Sequence, residues 1–579
     1  MAKGWEDTYE RWAHFQGLDR NLKKELEDMQ TDLVKLEDAF YQELTFGTGG
    51  IRGVLGPGTN RMNIYTVRKA VQGLANYLKE NGVNVKQRGV VIAYDSRYMS
   101  KEFAIEAASV LGTHGIRSYV FQSIRPTPLL SFAVRHLGTV AGIMITASHN
   151  PPEYNGLKVY NEKGGQIIPE EAEIIIEEIQ KIEDELAIPA LTQEELEDQQ
   201  LINWTAEEID FAYLDRLNGI SRMDEATFKQ PKDLKIVYTP LHGTGTNLIK
   251  LGLEQMNFSN VSIVEEQAVP DPEFSTVESP NPEEHQAFKL AMEYGKKADA
   301  DILLATDPDG DRLGAAVKNP AGDYVVLTGN QLGSLLLDYI LAHSDSNVFR
   351  NARMIKTVVT TELGRAIADS YNIETIETLT GFKYIADKIA HFDATGETFI
   401  FGYEESYGYL VSGFARDKDA VQAAVLTAEM ANYWKTQGKS VLDALEGLYE
   451  KHGYYLEGMR SLKLEGKEGS KQIAQIMDEI RNHPFKEIAG FTVEKVENYL
   501  TSERLLVKDN HMETIELPQE NMMKFILNEH AWICFRPSGT EPKLKYYYGV
   551  CGASEEDSET KIAAVQADLD VMISNILKQ

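Results

Sequence analysis

The sequence predicts an α/β protein, with three related α/β units whose loops point toward one shared cleft and a smaller C-terminal α+β region. Three observations carry this reading. Uninterrupted aliphatic runs pass straight into polar loops, an order of strand, loop, helix and strand occurs three times, and the last region mixes short alternating strands with one terminal helix.

In the first unit, Gly89-Val-Val-Ile-Ala-Tyr-Asp-Ser-Arg97 reads as a strand and its loop, 102–111 as a helix and 117–121 as a second strand. Ala141-Gly-Ile-Met-Ile145 then reads as a buried strand ending in Thr146-Ala-Ser-His-Asn-Pro151. The acidic helical stretch 174–200, broken by Ile188-Pro-Ala-Leu191, closes the unit. The second unit has strands at 234–238, 261–264 and 301–305, the last running into Thr306-Asp-Pro-Asp-Gly-Asp-Arg-Leu-Gly314. The third has strands near 354–359, 373–379 and 398–403, a loop Glu404-Glu-Ser-Tyr-Gly408, and closing helices at 420–434 and 440–452. Beyond it, strands at 531–535 and 546–550 and a terminal helix at 558–577 describe the smaller region.

A chain of 579 residues exceeds one ordinary core and predicts roughly three to five domains. With 43% hydrophobic and 25% charged residues it has the composition of a soluble globular protein. The net charge of −31 argues against nucleic acid and against anionic membrane as partners, although an acidic surface still accommodates a basic pocket. Cys534 and Cys551 are the only cysteines, too few for a disulfide scaffold. With no apolar targeting core and no membrane-length run, the expected location is cytoplasmic.

Ser148 follows a strand end, where open α/β sheets collect ligands, and pairs an alcohol nucleophile with the imidazole of His149. Asp307, Asp309 and Asp311 alternate along one short loop. Three carboxylates so close repel one another, and a hard cation is the simplest compensation. The start resembles a calcium loop, but Arg312 and Leu313 replace the later ligands and no glutamate closes the cycle, so magnesium fits better. Arg536-Pro-Ser-Gly-Thr540 reads as a phosphate cradle, with a guanidinium fork, the hydroxyls of Ser538 and Thr540, and a free backbone at Gly539. Gly49-Gly-Ile-Arg-Gly53 reads as an anion loop carrying Arg52, with neither a P-loop nor a dinucleotide-binding signature. Glu404 and Ser406 offer an acceptor and a donor suited to the hydroxyls of a sugar.

Together these motifs closely resemble the alpha-D-phosphohexomutase superfamily, especially its long bacterial phosphoglucomutases. The resemblance runs through Thr146-Ala-Ser-His-Asn-Pro151, Asp307-Pro-Asp-Gly-Asp-Arg312, Gly402-Tyr-Glu-Glu-Ser406 and Arg536-Pro-Ser-Gly-Thr540, and covers nearly the whole chain. It implies a four-domain phosphohexomutase architecture: a phosphoserine domain over 1–222, a metal-binding domain over 223–329, a sugar-recognition domain over 330–455 and a phosphate-binding domain over 456–579. It implies phosphorylated Ser148, Mg2+ held by Ser148, Asp307, Asp309 and Asp311, and electrostatic or proton-transfer roles for Arg52, His149 and Lys158. Sugar contacts fall at Glu404 and Ser406, and phosphate contacts at Arg536, Ser538, Gly539 and Thr540. The loop has Asp-Pro-Asp where many relatives have Asp-Gly-Asp, which puts its conformation in question more than its ligands.

The implied chemistry is interconversion of glucose 1-phosphate and glucose 6-phosphate, with glucose 1,6-bisphosphate as intermediate and activator. Thr380-Gly-Phe-Lys-Tyr384 favours the phosphoglucomutase branch and implies substrate contacts at Thr380, Gly381 and Lys383. The rivals are a phosphomannomutase, a phosphopentomutase, a sugar-bisphosphate synthase, a metal-dependent phosphatase and a noncatalytic sugar-phosphate sensor. The sequence leaves the oligomeric state open, and does not choose between Lys158 and His149 as proton relay.

Overall fold

The computed structural model describes residues 4–47, 49–464, 466–538 and 543–578; Gly539 and Thr540 of the expected phosphate cradle lie outside them. The chain divides into two compact units, Met1–Gly329 with Phe382–Gly438, and Asn330–Gly381 with Lys439–Gln579.

The first unit holds two sheets and a hairpin. Its six-stranded sheet runs in the order Gly50–Val54, Tyr154–Asn161, Ala141–Ile145, Val90–Tyr94, Ser118–Phe121 and Ile202–Thr205. Val90–Tyr94 lies parallel to both neighbours, and all five of its residues are buried, as are those of Ala141–Ile145. Strands covered on both faces need continuous aliphatic runs rather than alternation, which is what these two segments supply. Each fully buried aliphatic side chain contributes roughly 1.5–3 kcal/mol relative to exposure. Helices Ile64–Asn81 and Ser100–Thr113 cover the sheet and share its core.

Tyr154–Asn161 runs antiparallel to both Gly50–Val54 and Ala141–Ile145, so the serine loop is the turn of a hairpin. The three strands pass so closely that a Cβ on Gly156 would stand 2.6 Å from the Ile51 carbonyl oxygen and 2.7 Å from that of Thr146. The second sheet repeats the device. Ile236–Thr239 is parallel to Val261–Ile263 and to Ile302–Thr306, and Leu313–Lys318 returns antiparallel to Ile302–Thr306, making the aspartate loop a hairpin turn as well. A third hairpin, Thr398–Glu404 with Gly408–Leu410, lies in the same unit beside helices Phe382–Thr395 and Ala420–Thr436. At the N-terminus, helices Trp5–His14, Arg20–Met29 and Leu33–Phe40 enclose a small core around Trp12 and Phe40.

The second unit contains the parallel pair Ala352–Thr357 and Glu374–Thr378, with helices Leu363–Ser370 and Val441–His452. It also contains an antiparallel sheet that begins Tyr454–Lys463, Lys543–Gly552, Trp532–Pro537, Met523–Leu527, Phe491–Asn498. Helices Gly466–Asn482 and Glu555–Leu577 share a hydrophobic core with this sheet, giving the α+β region expected at the C-terminus. Among the described residues, no helix is long and apolar enough to cross a membrane.

Candidate active site

Ser148 stands at the carboxyl end of Ala141–Ile145 with φ of +51°, a left-handed conformation that a serine holds only when its surroundings fix it. Its N–H donates to Thr146 Oγ1 at 2.7 Å, and its carbonyl accepts from Arg97 Nη2 at 2.6 Å. The side chain points inward: Oγ donates to Asp307 Oδ2 at 2.7 Å and lies 3.1 Å from His149 Nδ1.

The aspartate loop is locked from several sides. Asp307 Oδ1 accepts the N–H groups of Asp311 at 3.1 Å and Arg312 at 3.0 Å. Thr127, the first residue of helix Thr127–Leu137, donates its N–H to the Asp309 carbonyl at 2.8 Å and its hydroxyl to Asp309 Oδ2 at 3.0 Å, so the aspartate loop is tied to the start of that helix. Pro308 sets the loop rather than disturbing it, because its carbonyl accepts both the N–H of Thr244 at 2.9 Å and its hydroxyl at 3.0 Å. Gly243 permits that approach, since a Cβ there would meet Pro308 Cα at 2.4 Å.

The three buried aspartates each present a carboxylate oxygen within 4.8 Å of the others. Asp309 Oδ1 and Asp311 Oδ1 are buried and have no hydrogen-bond partner among the described residues. Orphaned buried carboxylate oxygens are costly, and an all-oxygen set of this kind suits a hard divalent cation. Burial, reinforced by repulsion from Asp309 and Asp311, pushes the Asp307 carboxyl well above its ordinary value. Burial also works against the charge on Asp309, but the Lys158 ammonium outweighs it and holds that carboxyl low.

Lys158 reaches this group from the antiparallel strand, with Nζ 2.8 Å from Asp309 Oδ2 and 3.3 Å from Asp311 Oδ2. Burial opposes its charge, yet the two aspartates raise it above the usual lysine value, so it is a fixed ammonium. His149 differs: burial, with Arg312 and Arg52 nearby, lowers its imidazole to about 3, which leaves the ring neutral near pH 7. Arg52 is exposed and donates through Nη1 to Asn150 Oδ1 at 2.9 Å.

Arg52, Ser148, His149, Lys158 and Asp311 line one cavity of about 280 Å³, together with Gln166, Arg312 and Lys418. The turn carrying Glu404 and Ser406 adjoins the aspartate loop, because the Leu313 N–H donates to the Tyr407 carbonyl at 3.1 Å and Arg312 bridges to Gly408. Lys383 lies in the first turn of Phe382–Thr395, its ammonium 5.1 Å from the centre of the Tyr384 ring. In the second unit, the Thr380 hydroxyl is buried without a hydrogen-bond partner among the described residues and Gly381 takes φ of +111°. There too, Arg536 is the penultimate residue of the strand Trp532–Pro537, with its Nε on Glu520, and the Ser538 N–H donates to the Lys543 carbonyl at 2.7 Å.

Two site residues escaped sequence reasoning. Lys418 Nζ lies 3.2 Å from Asp311 Oδ2 and 3.4 Å from Asp417 Oδ1. Its signal was present in Arg416-Asp-Lys-Asp419, four consecutive charges directly before an apolar helix, and Arg416, Asp417 and Asp419 are all buried. Arg97, in the Asp95-Ser-Arg97 loop after a buried strand, carries no sequence signal of its role, because four of its partners are backbone carbonyls that no side-chain pattern reveals.

Comparison with known proteins identifies the family of the chain. Residues 43–186, 212–322 and 328–452 match domains I, II and III, each alpha/beta/alpha, of the phosphoglucomutase/phosphomannomutase family. The chain is 39% identical to a phosphoglucomutase of Staphylococcus aureus over 97% of its own length and 99% of that protein. It is 40% identical to one of Staphylococcus haemolyticus over 93% and 95%. Among solved structures, the phosphoglucomutase parafusin of Paramecium, in its open form, superposes with a TM-score of 0.68 at 16% identity, covering 93% of this chain and 96% of that one. A phosphoglucomutase/phosphomannomutase family protein of Burkholderia thailandensis gives 0.65 at 18% identity, covering 92% and 97%. With three alpha/beta/alpha family domains and a fourth, sheet-rich domain at its C-terminus, the chain belongs to the alpha-D-phosphohexomutase superfamily and lies close to the bacterial phosphoglucomutases.

Proposed function

We propose that the protein is a phosphoglucomutase that interconverts alpha-D-glucose 1-phosphate and D-glucose 6-phosphate through phosphorylated Ser148. The observation that carries the reading is the buried Ser148 hydroxyl, 2.7 Å from an aspartate of a three-carboxylate group and facing a cavity lined by Arg52 and Lys158. Near-full-length relatives named phosphoglucomutase support the choice of substrate.

Phosphorylated Ser148 donates its phosphoryl group to the free hydroxyl of the sugar monophosphate, whose proton passes to the departing Ser148 Oγ as the serine O–P bond breaks, giving glucose 1,6-bisphosphate and free Ser148. The bisphosphate turns end for end and returns its other phosphoryl group to Ser148. Asp307, Asp309 and Asp311 would hold Mg2+, which supplies charge neutralisation at the transferring group. Lys158 and Arg52 place positive charge where phosphoryl oxygens accumulate negative charge. His149 Nδ1 lies 3.1 Å from Ser148 Oγ, and we assign it the relay of the proton between Ser148 and the sugar hydroxyl, with Lys158 as the alternative. Glu404 and Ser406 are assigned to sugar hydroxyls; Thr380, Gly381, Lys383, Arg536, Ser538, Gly539 and Thr540 are assigned to the rest of the substrate, the last four to the phosphate that does not react.

The test is turnover of purified phosphoenzyme on glucose, mannose, glucosamine and pentose 1-phosphates, with inorganic phosphate measured in parallel. Glucose 6-phosphate formation without phosphate release is expected, and Ser148→Ala should form no phosphoenzyme and show no turnover. Normal turnover by Ser148→Ala removes the serine assignment, and stoichiometric phosphate release makes the protein a phosphatase.

A further inference from the structure

Arg97 takes no part in the chemistry above, yet it is 4% exposed and directs its guanidinium at the serine loop. Nη2 donates to the carbonyls of Ser148, at 2.6 Å, and Asn150. Nη1 donates to those of Pro151 at 2.8 Å and Tyr154 at 3.0 Å. Nε stands 3.6 Å from Asp95 Oδ2, and neither side chain is exposed. Asp95 is itself fixed, since its Oδ1 accepts the Arg97 N–H at 3.0 Å and the Ser100 hydroxyl at 2.7 Å. The guanidinium carbon lies 4.9 Å from the centre of the buried Phe274 ring, which comes from the half of the unit that carries the aspartate loop.

One cation thus gathers four carbonyls from residues 148–154, a segment whose serine holds a left-handed backbone angle. A peptide whose carbonyl points at Arg97 cannot turn that oxygen toward an incoming phosphoryl group, where it would repel the anion. The planar fork does this with two parallel edges; an ammonium offers three donors from one point and cannot span the same set. We propose that Arg97 is the positioning residue for Ser148, holding the loop so that Oγ stays aimed at Asp307 and the phosphoryl group it exchanges. Phe274 keeps the guanidinium plane in place and thereby couples the serine loop to the second sheet's half of the unit.

The inference rests on the mutase reading, and the experiment separates the two. Arg97→Lys in the full chain is charged with glucose 1,6-bisphosphate, its Ser148 phosphorylation is counted by intact mass, and turnover is expressed per phosphorylated molecule. The expected result is a fall in kcat of about 10²-fold, the scale associated with small misplacement of a reacting group. KM for glucose 1-phosphate should change by less than about twofold, because the sugar contacts are untouched. The phosphoserine 31P resonance should shift from its wild-type position. Phe274→Leu keeps the arginine and its charge, and serves if the lysine variant does not fold; its kcat should fall about tenfold at constant KM. Wild-type kcat per phosphorylated molecule in both variants, with an unmoved 31P signal, overturns the proposal and leaves Arg97 a structural ion. If the wild-type protein itself turns over no sugar monophosphate, the mutase reading fails, and the Arg97 proposal is decided by the Ser148 phosphorylation rate and the 31P signal.

Discussion

A buried serine hydroxyl between a carboxylate and an imidazole is reactive only if the surrounding charges are individually placed, and here each has a defined partner. Lys158 and Lys418 both reach Asp311 Oδ2, at 3.3 and 3.2 Å, so two ammonium groups offset part of the charge of the aspartate group before any divalent ion binds. Burial works against the Lys418 ammonium, but Asp311, Asp417 and Glu404 outweigh it and raise its basicity. Breaking a buried ion pair costs about 3–5 kcal/mol when the other charge is left uncompensated; Lys158 still faces Asp311, so Lys418→Met should cost less, about 1–3 kcal/mol, in a denaturant titration. A loss below about 1 kcal/mol would place Lys418 in the class of solvated surface pairs. At His149 the sign is opposite. With a folded value of about 3 against an ordinary 6.5, the ring binds fewer protons in the native state, so its contribution to stability is complete above 6.5 and lost as the pH falls toward 3. NMR of the histidine ring should therefore show no titration of His149 between about pH 5 and 8, whereas a midpoint near 6.5 would mean the imidazole is solvated.

At the scale of elements, both halves of the chemistry are hairpin turns, and the hairpins depend on close backbone approach. Gly156→Ala would force a methyl group between two carbonyl oxygens and part the strand bearing Lys158 from the one leading to Ser148. A loss of about 1–3 kcal/mol in stability is expected, as for other overpacked sites, with a larger fall in kcat than in thermal stability. Equal activity per folded molecule would show that the hairpin tolerates the shift. The same elements show what a sequence makes legible. Ala141–Ile145 and Ile302–Thr306 were readable because strands buried on both faces need unbroken aliphatic runs, and the aspartate triad was readable because its ligands are neighbours in the chain. The returning strand was not, since Tyr-Asn-Gly-Leu-Lys-Val-Tyr-Asn carries a buried asparagine and a lysine turned into the site, breaking any simple alternation. The N-terminal helices were likewise not anticipated, their core being shared with Tyr65 and Leu186 from later in the chain. Lys418 lies far in sequence from Asp311, and Arg97 from the carbonyls of 148–154, so only folding reveals those partners.

Over the whole molecule, a chain of net charge −31 also buries charge in its second unit, and the pH dependence of stability should record it. Lys356 Nζ lies 2.9 Å from Glu362 Oε1 and 3.0 Å from Glu377 Oε1, and Arg365 binds the same two glutamates at 2.8 and 2.9 Å. Burial opposes charge on Glu362, but Lys356 and Lys524 bring it down to about 2, so its stabilising effect is complete above 4.5 and lost as the pH falls toward 2. Glu457 behaves in the opposite sense. Burial pushes it up to about 7, despite hydrogen bonds from Thr361 and from Asn330 Nδ2 at 3.0 Å. Between 4.5 and 7 the folded state holds a proton that the unfolded state has released, so this group's contribution is complete below 4.5 and lost as the pH rises through 7. The difference amounts to a loss on the order of 3 kcal/mol across that interval. Glu457→Gln keeps the shape and cannot ionise, so its stability relative to the wild type should rise by that order between pH 4.5 and pH 7.5 in paired urea titrations. A difference that stays flat with pH would mean that folding does not raise the Glu457 carboxyl, its charge being stabilised by Thr361, Asn330 and Lys356 at least as strongly as burial opposes it.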